Sequence, residues 1–221
     1  MTVLILIALV IVALLVDYAV QVRQAKKAKA LAPQFQGWGE GDVFLPDGVL
    51  AAPGHLFSLL NKDGSFRMGL DRFLTHTIGK VDAIELPQKG KQVQKGDTLL
   101  TVKQGERTIS IPSPFHGTIE EINQMVSELP ALLREEPEKS WAVAVKPNDV
   151  KSSMNLMRVG KEAKEWLMNE MNRLREFLSA QTAEPAYATL QDGGVPAEGV
   201  LQQMDVDSWS KFEQEFIRTN S

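Results

Sequence analysis

The side chains able to do chemistry are few in this chain, and their spacing is poor. Three histidines, His55, His76 and His116, stand far apart. No pair has the three- or four-residue spacing that puts two imidazoles on one helix face as metal ligands, so each reads as structural or exposed. Cysteine is absent, which excludes disulfides, thiolate metal sites, cysteine-held iron–sulfur clusters and a thiol nucleophile. There is no phosphate-binding glycine loop, nucleophile elbow or H-E-x-x-H pair, and Gly37-Trp38-Gly39 and Asp192-Gly193-Gly194 are turn signals only. Glu120-Glu121, Glu135-Glu136 and Glu138 read as a solvated face, because an acid–base pair needs a cleft to shift a pKa. These residues predict a protein that is not an enzyme, with no catalytic residue, metal, cofactor or small-molecule substrate.

The elements that would position any site are legible in outline. Runs at 56–60, 65–70, 81–86, 98–102, 107–111, 117–122 and 141–145 are bounded by Gly, Pro, Asp or Asn, and several are rich in Val, Ile and Thr, as strands are. Asp63-Gly64 reads as a two-residue type I′ hairpin turn, whose central positions need positive φ. Many short strands with regular turns predict a small sandwich or barrel rather than a parallel α/β sheet. From 154 to 178 the period becomes helical, with Met157, Gly160, Lys164, Leu167, Met171, Leu174 and Leu178 on one stripe and Glu162 and Glu170 off it. This predicts one amphipathic helix of about six turns that packs on the sandwich. A second stripe, Ser208, Trp209, Phe212, Glu213, Phe216 and Ile217, predicts a terminal helix with Asp207 as candidate N-cap.

Residues 31–54 hold five Gly and three Pro with Phe35, Trp38, Phe44 and Leu45 among them. A free spacer is polar and poor in aromatics, so this connector is expected to lie on a surface. Phe35 and Trp38 here, with Trp209, Phe212 and Phe216 in the tail, are the candidate partner contacts. Folding back on their own domain is the competing and preferred expectation for both sets.

The first thirty residues add a membrane. Residues 3–16 are fourteen consecutive apolar residues, and apolar character continues through Val22 around Asp17 and Tyr18. About twenty helical residues cross a hydrocarbon core of roughly 30 Å. No Lys or Arg precedes the run and no small-residue cleavage site follows it, so it reads as an uncleaved anchor rather than a signal peptide. Asp17 and Tyr18 are placed at the interface, with a helix–helix contact as the alternative for Asp17. Arg23, Lys26, Lys27 and Lys29 follow the span and predict, by the positive-inside rule, a single-pass protein of the cytoplasmic membrane with its N-terminus outside and main domain in the cytoplasm. With Asp17, these four leave residues 1–29 at net +3, so of the total of −4 the remainder carries −7. An acidic body argues against nucleic acid as a partner; the expected partners are the lipid bilayer and other subunits of a membrane complex.

A family resemblance sharpens this. The chain has Gly54, His55 and Phe57, then Asp63-Gly64, Met68-Gly69, a helical 71–78 closed by Gly79, Leu86-Pro87, and Ser113, Pro114, Gly117, Ile119, Ile122 and Asn123. In order and spacing these resemble the glycine cleavage system H protein, a lipoyl carrier. The resemblance implies an α+β protein built on a lipoyl-like β sandwich (barrel-sandwich hybrid) with flanking helices, here joined to one N-terminal transmembrane helix. It also implies a carrier lysine at a hairpin tip, eleven residues before the glycine at 117, where this chain has Glu106. A carboxylate cannot form the amide that a lysine makes with lipoate. Lys103 is the nearest displaced candidate, in the strand rather than at the tip.

The organisation expected is an anchor at 1–22, a basic flank and connector at 23–52, the H-protein-like domain at 53–150, a helix at 151–179 and an extension at 180–221. The function expected is a non-catalytic, membrane-anchored accessory subunit of a larger complex, with respiratory or redox assemblies as the candidate class. The alternatives are a tethered carrier in one-carbon metabolism with a displaced lysine, and a stand-alone recruitment module.

Overall fold

Nine short strands form two antiparallel sheets in the computed structural model of the protein, which describes residues 38–43, 45–181 and 196–218. The larger sheet has the order β1 (Leu50–Ala52), β2 (Leu56–Leu60), β3 (Phe66–Leu70), β9 (Val143–Pro147), β8 (Gly117–Ile122) and β5 (Gln92–Val93). The smaller has β4 (Ala83–Glu85), β6 (Thr98–Gln104) and β7 (Arg107–Pro112). Leu56, Phe66, Met68, Ile119, Val143 and Val145 from one sheet and Ile84, Leu100, Val102, Ile109 and Ile111 from the other belong to a single buried apolar cluster. That is the expected sandwich, and alternation along β6 and β8 shows why: each strand turns its apolar residues inward and its Thr, Lys and Glu outward.

The first hairpin differs from its predicted turn. Asn61 N donates to Ser65 O at 2.8 Å and Gly64 N to Asn61 O at 3.0 Å, and only Gly64 of the turn has positive φ. Residues 61–65 thus form a longer loop ending in a left-handed glycine, instead of a two-residue type I′ turn. Asp63 serves instead as an acceptor, its Oδ1 taking the backbone N–H and hydroxyl of Ser65 at 3.0 and 2.8 Å.

The helices α1 (Arg72–Ile78), α2 (Gln124–Glu128), α3 (Pro137–Ser140), α4 (Val150–Met154), α5 (Gly160–Gln181) and α6 (Val206–Phe212) complete the chain, and α6 runs on into a π turn at Glu213–Arg218. The predicted helix at 154–178 is broken at its start. Residues 155–159 leave the helical path, where Arg158 exchanges backbone hydrogen bonds with Ala51 at 2.8 and 2.9 Å, and Gly160 turns the chain with φ 51°. Extra sheet pairing thus outweighs the helical period there. Asp205, not Asp207, caps α6, accepting from Ser208 N at 2.7 Å. Leu167, Met171, Leu174 and Leu178 of α5, Phe73 and Ile78 of α1, and Trp209, Phe212, Phe216 and Ile217 of the tail bury one shared apolar layer beside the sandwich. Among the described residues no helix is long and apolar enough to cross a membrane; the predicted span at 1–22 lies outside them.

Candidate functional site

The hairpin of β6 and β7 is the element that would present a carrier group. Its register pairs Gln104 with Arg107, leaving Gly105 and Glu106 as a two-residue turn. Gly105 takes φ 57° at the first central position, which such a turn requires. Glu106 is exposed at the tip. Lys103 is separated from the turn by one strand residue, Gln104, and its ammonium is held against the Glu85 carboxylate on the neighbouring strand β4.

The hairpin is fastened on both flanks. The Gln104 side-chain amide donates to Ile78 O at 3.2 Å and to Lys80 O, and Gly105 N donates to Asp82 Oδ2 at 2.9 Å. That backbone donor and the Lys80 ammonium hold the Asp82 carboxyl below the usual range. On the other side Arg107 Nη1 donates to Leu201 O at 3.2 Å and Gln202 O at 3.0 Å, and its guanidinium lies 5.5 Å from the centre of the Trp209 ring. Between the fastenings lies an open cleft of about 550 Å³, lined by Lys80, Asp82, Glu106, Arg107, Gln202 and Val206 among others.

A second constellation lies inside the protein. His55 is fully buried, with φ 58°, a left-handed conformation that His tolerates better than most residues. Its Nδ1 is 2.9 Å from Asp71 Oδ2, while Asp71 Oδ1 accepts from Leu74 N at 2.8 Å and so caps α1. Its Nε2 is 3.6 Å from Glu170 Oε2 on α5, an ion-pair distance beyond hydrogen-bonding range. The ring is closed on both faces by Phe73 and Trp166, at centroid distances of 4.2 and 4.9 Å. Burial opposes the charged imidazole, but the charge and hydrogen bond of Asp71 and then Glu170 outweigh it and lift the pKa to about 9. Burial opposes the Glu170 carboxylate in turn; His55 and Arg173, whose Nη1 donates to both carboxylate oxygens at 2.8 and 2.7 Å, outweigh it and keep its pKa low. A charged imidazole fixed between two carboxylates and two rings is a structural pin; it reaches no solvent with which to do chemistry.

Glu170 and Arg107 make structural contacts that the sequence pattern did not single out. Glu170 falls off the apolar stripe by helical period, yet it is only 3% exposed because His55 sits beneath it. Its one sequence signal is its place four residues after Trp166 and three before Arg173.

The other singled-out residues divide cleanly. Asp17, Tyr18, Arg23, Lys26, Lys27, Lys29 and Phe35 lie outside the described residues. Trp38, considered as a partner contact, is buried in its own domain, stacked on His76 at 5.3 Å and donating through Nε1 to Ala197 O at 3.3 Å. Trp209, Phe212 and Phe216 likewise face inward: Trp209 Nε1 donates to Leu201 O at 2.6 Å, and Phe216 packs on Phe73, Phe177 and Phe212. The partner-contact expectation is corrected for these four, because α1 and α5 already supply the apolar face the rings need.

Two antiparallel sheets that share one apolar core, with the turn of the β6–β7 hairpin exposed, define the class, a lipoyl-type β sandwich. Residues 53–170 match the glycine cleavage H-protein family, more than half of the chain, and the chain belongs to that family. A probable glycine cleavage system H protein of Pyrococcus abyssi (strain GE5 / Orsay) is 24% identical over 127 residues, 58% of this chain and 95% of that protein. A glycine cleavage system H protein of Prochlorococcus marinus (strain AS9601) is 30% identical over 113 residues, 51% of this chain and 87% of that protein. The crystal structure of a glycine cleavage system H protein from Mycobacterium marinum has 20% identity and a TM-score of 0.47, covering 57% of this chain and 98% of that one. The family is one of carrier proteins rather than enzymes.

Proposed function

We propose that this chain is a non-catalytic, membrane-anchored accessory subunit of a larger membrane complex, using the H-protein domain without a lipoyl group. The observation that carries this reading is Glu106: the exposed tip of the hairpin bears a carboxylate, which cannot form the carrier amide. The fastening of Gln104, Gly105 and Arg107 supports it, since a carrier arm works from a free tip and this tip is tied to the loop before β4 and to the C-terminal layer. The apolar run at 3–16 and the basic flank of Arg23, Lys26, Lys27 and Lys29 support the anchor and its orientation. A fold whose functional residue is replaced fits a structural role, because function lives in the site.

Mild detergent extraction from the native host, followed by a native gel and identification of co-migrating chains, tests the reading. Co-migration with other membrane subunits is expected; a protein that runs alone and unmodified rejects it.

One observation favours the tethered-carrier alternative. Lys103 is held by Glu85, but Lys80 lies beside the tip with its side chain 81% exposed, 3.2 Å from Asp82. A lipoyl adduct on Lys80 or any other lysine, seen by mass spectrometry of the native protein, would establish the carrier instead.

A further inference from the structure

We propose that His55, Glu170 and Arg173 form a latch: parting the His55–Glu170 pair releases helix α5 and the 196–218 layer as one unit and uncovers the hairpin of β6 and β7. The geometry makes His55 and Glu170 the buried ion pair that joins the turn between β1 and β2 to α5. His55 belongs to the turn between β1 and β2, Asp71 to the N-cap of α1 and Glu170 to α5, and the His55 and Glu170 side chains are 0% and 4% exposed. From Glu170 the chain of contacts continues through Arg173. Its Nη2 donates to Glu215 O at 2.9 Å and its guanidinium lies 4.8 Å from the centre of Phe216, so α5 is bound to the π turn. The same C-terminal layer then reaches the hairpin and α1. Arg107 donates to Leu201 O and Gln202 O, Gly199 N donates to His76 O at 2.7 Å, and the Gln202 side chain donates to Ile78 O at 3.2 Å.

Opening this pair from one side alone is costly. His55 Nε2 has no hydrogen-bond partner, so Glu170 alone compensates that edge of the ring. Removing one member of a buried ion pair leaves the other as an uncompensated charge in a low dielectric, which costs more than the pair gains. The charged groups facing the imidazole are Asp71 from α1 and Glu170 from α5. Arg173 binds the far side of Glu170, and Arg158 lies 4.9 Å from the centre of Trp166, the ring stacked on the imidazole. Loss of the proton from His55 removes the attraction to both carboxylates at once, and alkaline pH is therefore the natural lever.

Hydrogen exchange on the full chain tests the latch. Glu170→Gln keeps the side-chain shape and removes the charge. It is expected to raise exchange in 160–181, 196–218 and the β6–β7 hairpin together by about tenfold or more, while β2, β3, β8 and β9 keep their protection. Loosening of α5 with 196–218 unchanged, or equal loosening of every strand, overturns the proposal. Arg173→Met leaves His55 and Glu170 facing each other and cuts the link onward, so it should loosen 206–218 and leave the start of α5 at wild-type rates; wild-type exchange at 206–218 overturns the relay. If Glu170→Gln does not fold, the wild-type chain compared at about pH 7 and about pH 10, corrected for intrinsic rates, must show the same grouped loosening; unchanged or uniform exchange overturns the latch.

Discussion

Gly79 and Gly199 meet backbone to backbone: a Cβ on Gly79 would stand 2.5 Å from the Gly199 Cα and also collide with the Gln202 side-chain amide. Gly79 ends α1 with φ 75°, and Gly199 opens the C-terminal layer with φ 67°. Gly79→Ala therefore combines backbone strain of about 1–3 kcal/mol with a clash against main chain that cannot turn aside. Gly48→Ala is the control, since Gly48 has φ 82° but nothing within 4 Å of its Cβ position. Urea denaturation should show the larger loss for Gly79→Ala. Equal losses would mean that strain alone matters and that the two backbones do not touch.

The buried imidazole makes stability fall on the alkaline side. Its pKa is raised from 6.5 to about 9, so its contribution is fully present below about 6.5 and is lost as pH rises through about 9. The amount is on the order of 3 kcal/mol. The low pKa of Glu170 adds the opposite limb, a contribution present above the ordinary glutamate value and lost as pH falls. Urea midpoints measured across the neutral to alkaline range should fall between about pH 6.5 and about pH 9 and level off above it; a level profile throughout would show that His55 is neutral in the folded protein.

Replacing the aromatic anchors of the tail should be costly where a surface substitution is not. Phe216 is 0% exposed and touches three other phenylalanine rings, so Phe216→Ala is expected to cost about 3–5 kcal/mol. Leu129, 55% exposed, should cost within about 0.5 kcal/mol as Leu129→Ala. Comparable thermal midpoints for the two variants would indicate that the tail does not pack on α1 and α5.

Glu106→Lys places an amine at the hairpin tip. Given lipoate, ATP and a lipoate ligase, the variant should take up a lipoyl group and the wild-type chain should not, as read by intact mass. An unmodified variant would show that the fastening through Gln104, Gly105 and Arg107 keeps the tip from a ligase even when the nucleophile is supplied.

Much of the sandwich was legible because strands announce themselves locally. The runs at 56–60 and 117–122 fall on β2 and β8 residue for residue, since alternating apolar positions bounded by turn formers leave few other solutions. Two breaks in the reading come from tertiary pairing that outweighs local pattern. Arg158 leaves a helical period to pair with Ala51, and β1 is drawn from a stretch read as connector. Asp63-Gly64 has the residues of a tight turn, but Asn61 and Ser65 close a longer one.

By itself the sequence determined the family, the strand content and the identity of the tip residue, because motif spacing and side-chain chemistry are properties of the chain. It also carries the apolar run and basic flank on which the membrane proposal rests. Only the tertiary structure decided that Trp38, Trp209, Phe212 and Phe216 face their own core, since an apolar stripe specifies that a face is covered and not what covers it. Only the fold brought His55 to Glu170, 115 positions further along the chain. A buried charge is recognisable by its partners in space, and helical periodicity alone had assigned that glutamate to water.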